Sequence, residues 1–146
     1  MILADTSVLI GYLRGDNSPA AGLFDHLLEA QIPWGICPVV YQEVLQGARD
    51  SREFKRLKAY FDTLPLYEFR HGLESYARAA RLNLRCRKAG VTVRSSIDLL
   101  IAETAIENEL FLFHHDADFN RMAGAIPELQ VFTGLCLTRD TGSKEG

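Results

Sequence analysis

The sequence predicts an α/β fold in three layers, with a mainly parallel central sheet flanked by helices. Three observations carry the prediction. Short apolar runs alternate along the chain with longer segments of helical apolar spacing. No linker, internal repeat or low-complexity segment divides the 146 residues, a length that suits one domain. Hydrophobic residues make up 47% of the chain, enough for a packed core and too many for a disordered one. Strands that alternate with helices pair in parallel through right-handed crossovers, which puts helices on both faces.

The elements follow in order. Residues 2–4 read as a short buried strand that ends at Asp5. Residues 6–13 carry helical spacing until Arg14-Gly15-Asp16 breaks it. Ser18 caps a second helix with Pro19 at its first position, and that helix runs to about Ala30. Residues 34–37 form a second strand closed by Pro38. Helices are expected over 39–48 and 53–62, the latter ended by Pro65, with a short strand at 66–69. Residues 73–88 make a long helix stopped by Gly90. Ser95 or Ser96 caps the next helix, which reaches about Asn108. A strand at 110–114, a short helix at 117–123 and a strand at 130–132 complete the list. The domain is expected to span 1–137, with 138–146 as a polar, frayed tail.

Several classes are excluded. No apolar run approaches the ~18–20 residues that span a bilayer. The short apolar run near the start has no basic region before it and no cleavage site after it. A cytoplasmic protein that does not enter the membrane is the expectation. Cys37, Cys86 and Cys136 are odd in number and form no CxxC pair, so reduced core thiols are expected rather than a zinc site or a disulfide framework.

Net charge is −3, but the charge is divided. Residues 49–94 hold 12 of the 16 basic residues and 5 of the 19 acids, a balance of +7 against −10 for the rest. A basic middle inside an acidic frame suggests that a polyanion and a cation are handled in different places.

The acids fall where such a sheet binds ligands, beyond the carboxyl ends of its strands. Asp5 follows the first strand directly, and Asp116 follows the 110–114 strand by two residues. Asp98 lies in the first turn of a very apolar helix (Ile97, Leu99, Leu100, Ile101, Ala102). Glu43 lies among Val39, Val40, Val44 and Leu45, where an unpaired carboxylate is costly. Each acid also has a plain reading: Asp5, Asp116 and Asp118 as caps or turn residues, Asp98 as a complement to its helix dipole, Glu43 on a solvated face. Together they form one constellation. Its all-oxygen donors suit a hard cation such as Mg2+ or Mn2+ and suit zinc poorly.

The segments ILADTSVLIGYLRG, CPVVYQEVLQGAR and SSIDLLIAETAIENELFLFHHDADF now bring out a resemblance. In family order they match the strand-Asp-Thr/Ser-helix opening, the Pro, Glu and Gly block, the Asp-x-x-Ile-Ala helix and the Asp-x-Asp-Phe ending of PIN-domain proteins. Within that family the chain resembles the VapC-type toxins. One departure is visible: many relatives have Thr two residues before the third Asp, where this chain has His114.

The resemblance implies a metal-dependent endoribonuclease. It implies Asp5, Asp98 and Asp116 as first ligands of one or two Mg2+ or Mn2+ ions, Glu43 as a ligand through water or as the residue that orients the attacking water, and Asp118 as a further member. Thr6 and Ser96 would hold phosphate or water by hydrogen bonds. From the charge pattern, Arg78, Arg81, Arg85 and Lys88 share one face of the 73–88 helix beside an apolar stripe of Leu73, Tyr76, Ala77, Ala80 and Leu84. That face reads either as a solvated surface or as a phosphate track for RNA, with Arg14 as another phosphate contact. The resemblance further implies a VapB-type antitoxin, docked by analogy in a groove of the second to fourth helices, and a homodimer. Two alternatives stand beside it. One is a non-catalytic PIN-like module that binds RNA or protein. The other is a phospho-acceptor receiver domain, which lacks support because Asp5 has no acidic neighbour and no Lys lies between Lys88 and Lys144.

Overall fold

Residues 1–15 and 17–133 are described by the computed structural model, and their sheet is parallel throughout. Its order is β2 (Trp34–Gly35), β1 (Ile2–Ala4), β3 (Phe111–Phe113) and β4 (Gln130–Val131). Ile2 lies opposite both Trp34 and Phe111, Ala4 opposite Phe113, and Leu112 opposite Val131. Ile2, Leu3 and Ala4 are all buried, as are Leu112 and Phe113. Continuous burial of successive residues means that both faces of the sheet are covered, as a parallel sheet requires.

The strand expected at 66–69 is reduced to one bridge, Leu66 to Ile36, at the β2 edge. Gly35 makes the close approach there possible. A Cβ at this position would meet the Pro65 carbonyl oxygen at 2.4 Å.

The helices are α1 (Thr6–Leu13), α2 (Pro19–Glu29), α3 (Pro38–Gln46), α4 (Ser51–Phe61), α5 (Leu73–Lys88), α6 (Ser96–Glu107) and α7 (Ala117–Ala125). Their starts follow from local chemistry. Ser18 accepts from the Ala21 amide, Asp50 from Glu53 and Ser95 from Ile97. Pro38 does not merely close a strand but occupies the first turn of α3. Gly90, at φ +79°, terminates α5 in the left-handed region that glycine tolerates. α1 packs on α2 and α3, α3 on α4 and α6, and α5 on α6 and α7.

The apolar stripe that adjoins the basic face of α5 points outward: Leu73 is 85% exposed, Tyr76 54% and Leu84 45%. Ser75, Ala79, Leu82 and Cys86 are buried instead. Both sets have helical spacing and lie on nearly opposite faces. Packing chooses the smaller set, because small side chains let α5 approach α6 and Ser75 hydrogen-bonds Glu107 there at 2.7 Å.

Cys37 and Cys86 are buried free thiols, and burial pushes the Cys37 thiol up to about 11. Cys136, the last residues of the expected domain and the tail at 138–146 lie outside the described residues. Among the described residues no helix is long and apolar enough to cross a membrane.

Candidate metal centre

The sheet order places β1 between β2 and β3. The chain leaves β1 towards β2 and later returns on the other side at β3. The crevice beyond the carboxyl ends of β1 and β3 is therefore the topological switch point, where open α/β sheets bind ligands.

Two of the acids are set there by capping. Asp5 continues the β1 ladder, its amide donating to the Phe113 carbonyl at 2.9 Å, and then caps α1. Its Oδ2 accepts from the Ser7 amide at 3.2 Å and the Ser7 hydroxyl at 2.6 Å. Asp116 caps α7, its Oδ1 accepting from the Asp118 amide at 2.9 Å. Asp98 is brought in by the first turn of α6, whose Leu99, Ile101, Ala102 and Ala105 are buried. Glu43 projects from α3, where the Thr6 hydroxyl donates to its Oε1 at 2.8 Å.

Carboxylate oxygens of Asp98, Asp116 and Asp118 lie within 4.8 Å of one another. Asp118, the least certain acid in the sequence, thus belongs to the tightest group. It also forms an ion pair with Arg121. Asp98 is raised to about 6, chiefly by burial, then by Asp5, Asp116, Asp118 and Glu43. The same side chain therefore feels all four other acids. Crowded oxygen donors with no sulfur among them fit a hard divalent cation.

The supporting residues sort differently. Thr6 is buried and orients Glu43, whereas Ser96 opens α6 at the surface. Arg81 and Lys88 are exposed on α5. Arg85 makes a bidentate pair with Glu128 at 3.0 and 3.1 Å, and Arg78 acts on the buried Glu103. Arg14 ends α1 and lines a groove of about 800 Å3 formed with Ile10, Leu13, Val44, Leu57 and Tyr60. That groove lies between α1, α3 and α4. Helix α2 packs against α1 and lines none of it.

Two contributors are absent from the sequence reading. Ser7 is one: its hydroxyl donates to Asp5 and accepts from the His115 amide at 3.0 Å. The only local signal was a hydroxyl two residues past a capping Asp. The second is the contact of His114, whose Nδ1 accepts from the Asp116 amide at 3.0 Å. Burial holds this imidazole below its ordinary value, against the pull of Asp5, Asp116 and Asn120.

With this geometry in place, the comparisons are consistent with one another. The family model described as PIN domain matches residues 2–125. The chain is 36% identical to "VapC ribonuclease Mb1587" of Mycobacterium bovis, over 84% of this chain and 92% of that protein. The fold is similar to that of VapBC2 from Rickettsia felis bound to a promoter DNA fragment, with TM-score 0.69 and 20% identity over 90% of this chain and 98% of that one. It is also similar to a toxin-antitoxin complex from Klebsiella pneumoniae, with TM-score 0.65 and 21% identity over 88% and 95%.

Proposed function

The chain belongs to the PIN domain family, and on that premise we propose that it is a Mg2+- or Mn2+-dependent endoribonuclease, the toxin of a VapBC-type pair. The observation that carries the reading is the convergence of Asp98, Asp116 and Asp118, with Asp5 and Glu43 acting on Asp98, at the switch point of the sheet. Asp5, Asp98 and Asp116 would hold one or two ions, with Asp118 beside them.

The reaction is hydrolysis: one water is added and one P–O ester bond of RNA breaks. When bound, the divalent ion offsets the charge of the acids and supplies Lewis acidity towards phosphate and water. The protein does the rest. Thr6 holds Oε1 of Glu43 and so orients the carboxylate, leaving its other oxygen to orient the attacking water. Ser7 holds Asp5 against the turn that carries Asp116. Arg81 and Lys88, with Arg78, Arg85 and Arg14, bring the RNA backbone to a pocket that would otherwise repel it.

The relative named a VapC ribonuclease and the neighbours described as toxin-antitoxin complexes support a VapB-type antitoxin as partner. The groove between α1, α3 and α4 combines the apolar Ile10, Leu13, Val44 and Leu57 with the charged Arg14, Arg49, Arg56 and Glu53, and it suits an amphipathic antitoxin helix. The exposed apolar stripe of α5 suits a second copy of the chain, in a cytoplasmic homodimer. Incubating antitoxin-free protein with RNA tests the activity. Cleavage with Mg2+ or Mn2+, its loss in EDTA and its loss in Asp98→Asn are expected. Absence of cleavage across many RNAs would return the chain to a binding-only module.

A further inference from the structure

We propose that His114 is a positioning residue of the acidic centre: through Nδ1 its neutral imidazole holds the Asp116 amide and so fixes the direction of the Asp116 carboxylate. The inference rests on the metal-site reading above, and it concerns how the site is kept in shape.

His114 directly follows β3, and His115 and Asp116 after it lead into α7. The amides of this turn are held by side chains. That of His115 donates to Ser7 Oγ at 3.0 Å, that of Asp116 to His114 Nδ1 at 3.0 Å, and that of Asp118 to Asp116 Oδ1 at 2.9 Å. The first contact ties the turn to Asp5, because the Ser7 hydroxyl donates onward to Asp5 Oδ2 at 2.6 Å. The third caps α7. The second is the one that fixes residue 116 itself, and it comes from the imidazole.

An N–H can donate to Nδ1 only where that nitrogen carries a lone pair, so the ring is the Nε2–H tautomer. The ring is itself held. Its centroid lies 5.1 Å from that of the fully buried Phe119, tilted by 51°. The acceptor therefore sits on a fixed platform rather than on a mobile side chain.

The arrangement has a cost. Nε2 is buried with no partner at hydrogen-bonding geometry among the described residues, although Asn120 stands beside the ring. A buried donor paired no better than this is destabilising, and an apolar ring of the same shape would avoid it. A polar ring at this cost is accounted for by the bond it makes to Asp116.

The test is Mn2+ affinity, by calorimetry or electron paramagnetic resonance, beside thermal unfolding in EDTA. His114→Phe keeps the ring and loses the acceptor. His114→Gln moves the polar group to the Nε2 end. His114→Asn places its Oδ1 near the position of Nδ1. Phe and Gln are expected to weaken Mn2+ binding by about 10- to 100-fold, the range for residues that orient metal ligands. Asn is expected to stay within about threefold of the wild type. In EDTA, Phe should unfold at the same temperature as the wild type or higher. If wild-type protein binds Mn2+ and Phe or Gln binds it equally well, the inference is overturned while the metal site stands. Asn as weak as Phe or Gln overturns it too. Wild-type protein that binds no Mn2+ removes both readings. If Phe does not fold, the comparison of Gln with Asn decides.

Discussion

Asp98→Asn should stabilise the metal-free protein, and the gain should depend on pH. The Asp98 carboxyl is raised from 3.8 to about 6, first by burial and then by four neighbouring acids. A raised carboxylate favours the native state only while protonated. Below about pH 4 it is protonated in both states and costs nothing. Between about 4 and 6 the native state holds more protons than the unfolded chain, so stability falls as pH rises. Above about 6 the whole penalty is present. A rise of this size in a fully enclosed carboxyl would correspond to about 3 kcal/mol, but Asp98 is only half-buried and solvent screening reduces this to about 1–1.5 kcal/mol. For a domain of this size that is roughly 3–6 °C in Tm. Urea or thermal unfolding in EDTA at pH 4, 6 and 8 measures it. The variant should exceed the wild type at pH 8 and match it at pH 4. With millimolar Mn2+ the order should reverse, because only the wild type gains binding energy. An Asn variant no more stable than the wild type at pH 8, or a gap that ignores pH, would refute the account of crowded charge.

Two further outcomes are expected. Glu103 is buried, its Oε2 has no partner among the described residues, and it is raised to about 7 by burial and then by Glu107, against the pull of Arg78. Glu103→Gln should therefore be more stable than the wild type above pH 7, by about 1 kcal/mol after screening, and lose the advantage below about pH 4.5 in urea titrations. Arg81→Ala and Lys88→Ala should each reduce the salt slope of single-stranded RNA binding by about 0.7, read by anisotropy at several salt concentrations.

The sequence disclosed most of the architecture because its signals were local. The limits of α1 and α5 follow from the apolar spacing bounded by Asp5, Arg14-Gly15 and Gly90. Strands were legible as buried runs but came out shorter at β2, β3 and β4, since apolarity outlasts pairing at a sheet's edge. The inner face of α5 was not legible, for a physical reason. Periodicity finds apolar residues, whereas the packed face is chosen by fit, and Ser75 and Ala79 fit where Leu73 does not. The acids were legible because strand ends and a helix start placed them. Their connections were not. Ser7 meets His115 across 108 positions, and nothing in the local pattern of either residue anticipates that contact.

The plain reading of Asp5 and Asp116 as helix caps and the functional reading as metal ligands are not rivals. Each carboxylate gives an oxygen to an amide at the start of its helix, Asp5 to Ser7 and Asp116 to Asp118. Capping contributes to the direction in which the rest of the group points, at Asp116 together with the His114 contact to its amide. A cap therefore orients the ligand at no separate cost in order. The two roles can be divided experimentally at Asp116. Asp116→Ser retains a capping hydroxyl, Asp116→Ala does not, and both lose the same charge, so relief of repulsion cancels between them. Serine should be the more stable by about 1 kcal/mol in EDTA. Both should lose Mn2+ binding alike. Equal stability of the two would mean that the cap contributes nothing. Retention of Mn2+ by the serine variant would mean that the carboxylate is not a ligand. Either result would separate the two roles proposed for Asp116.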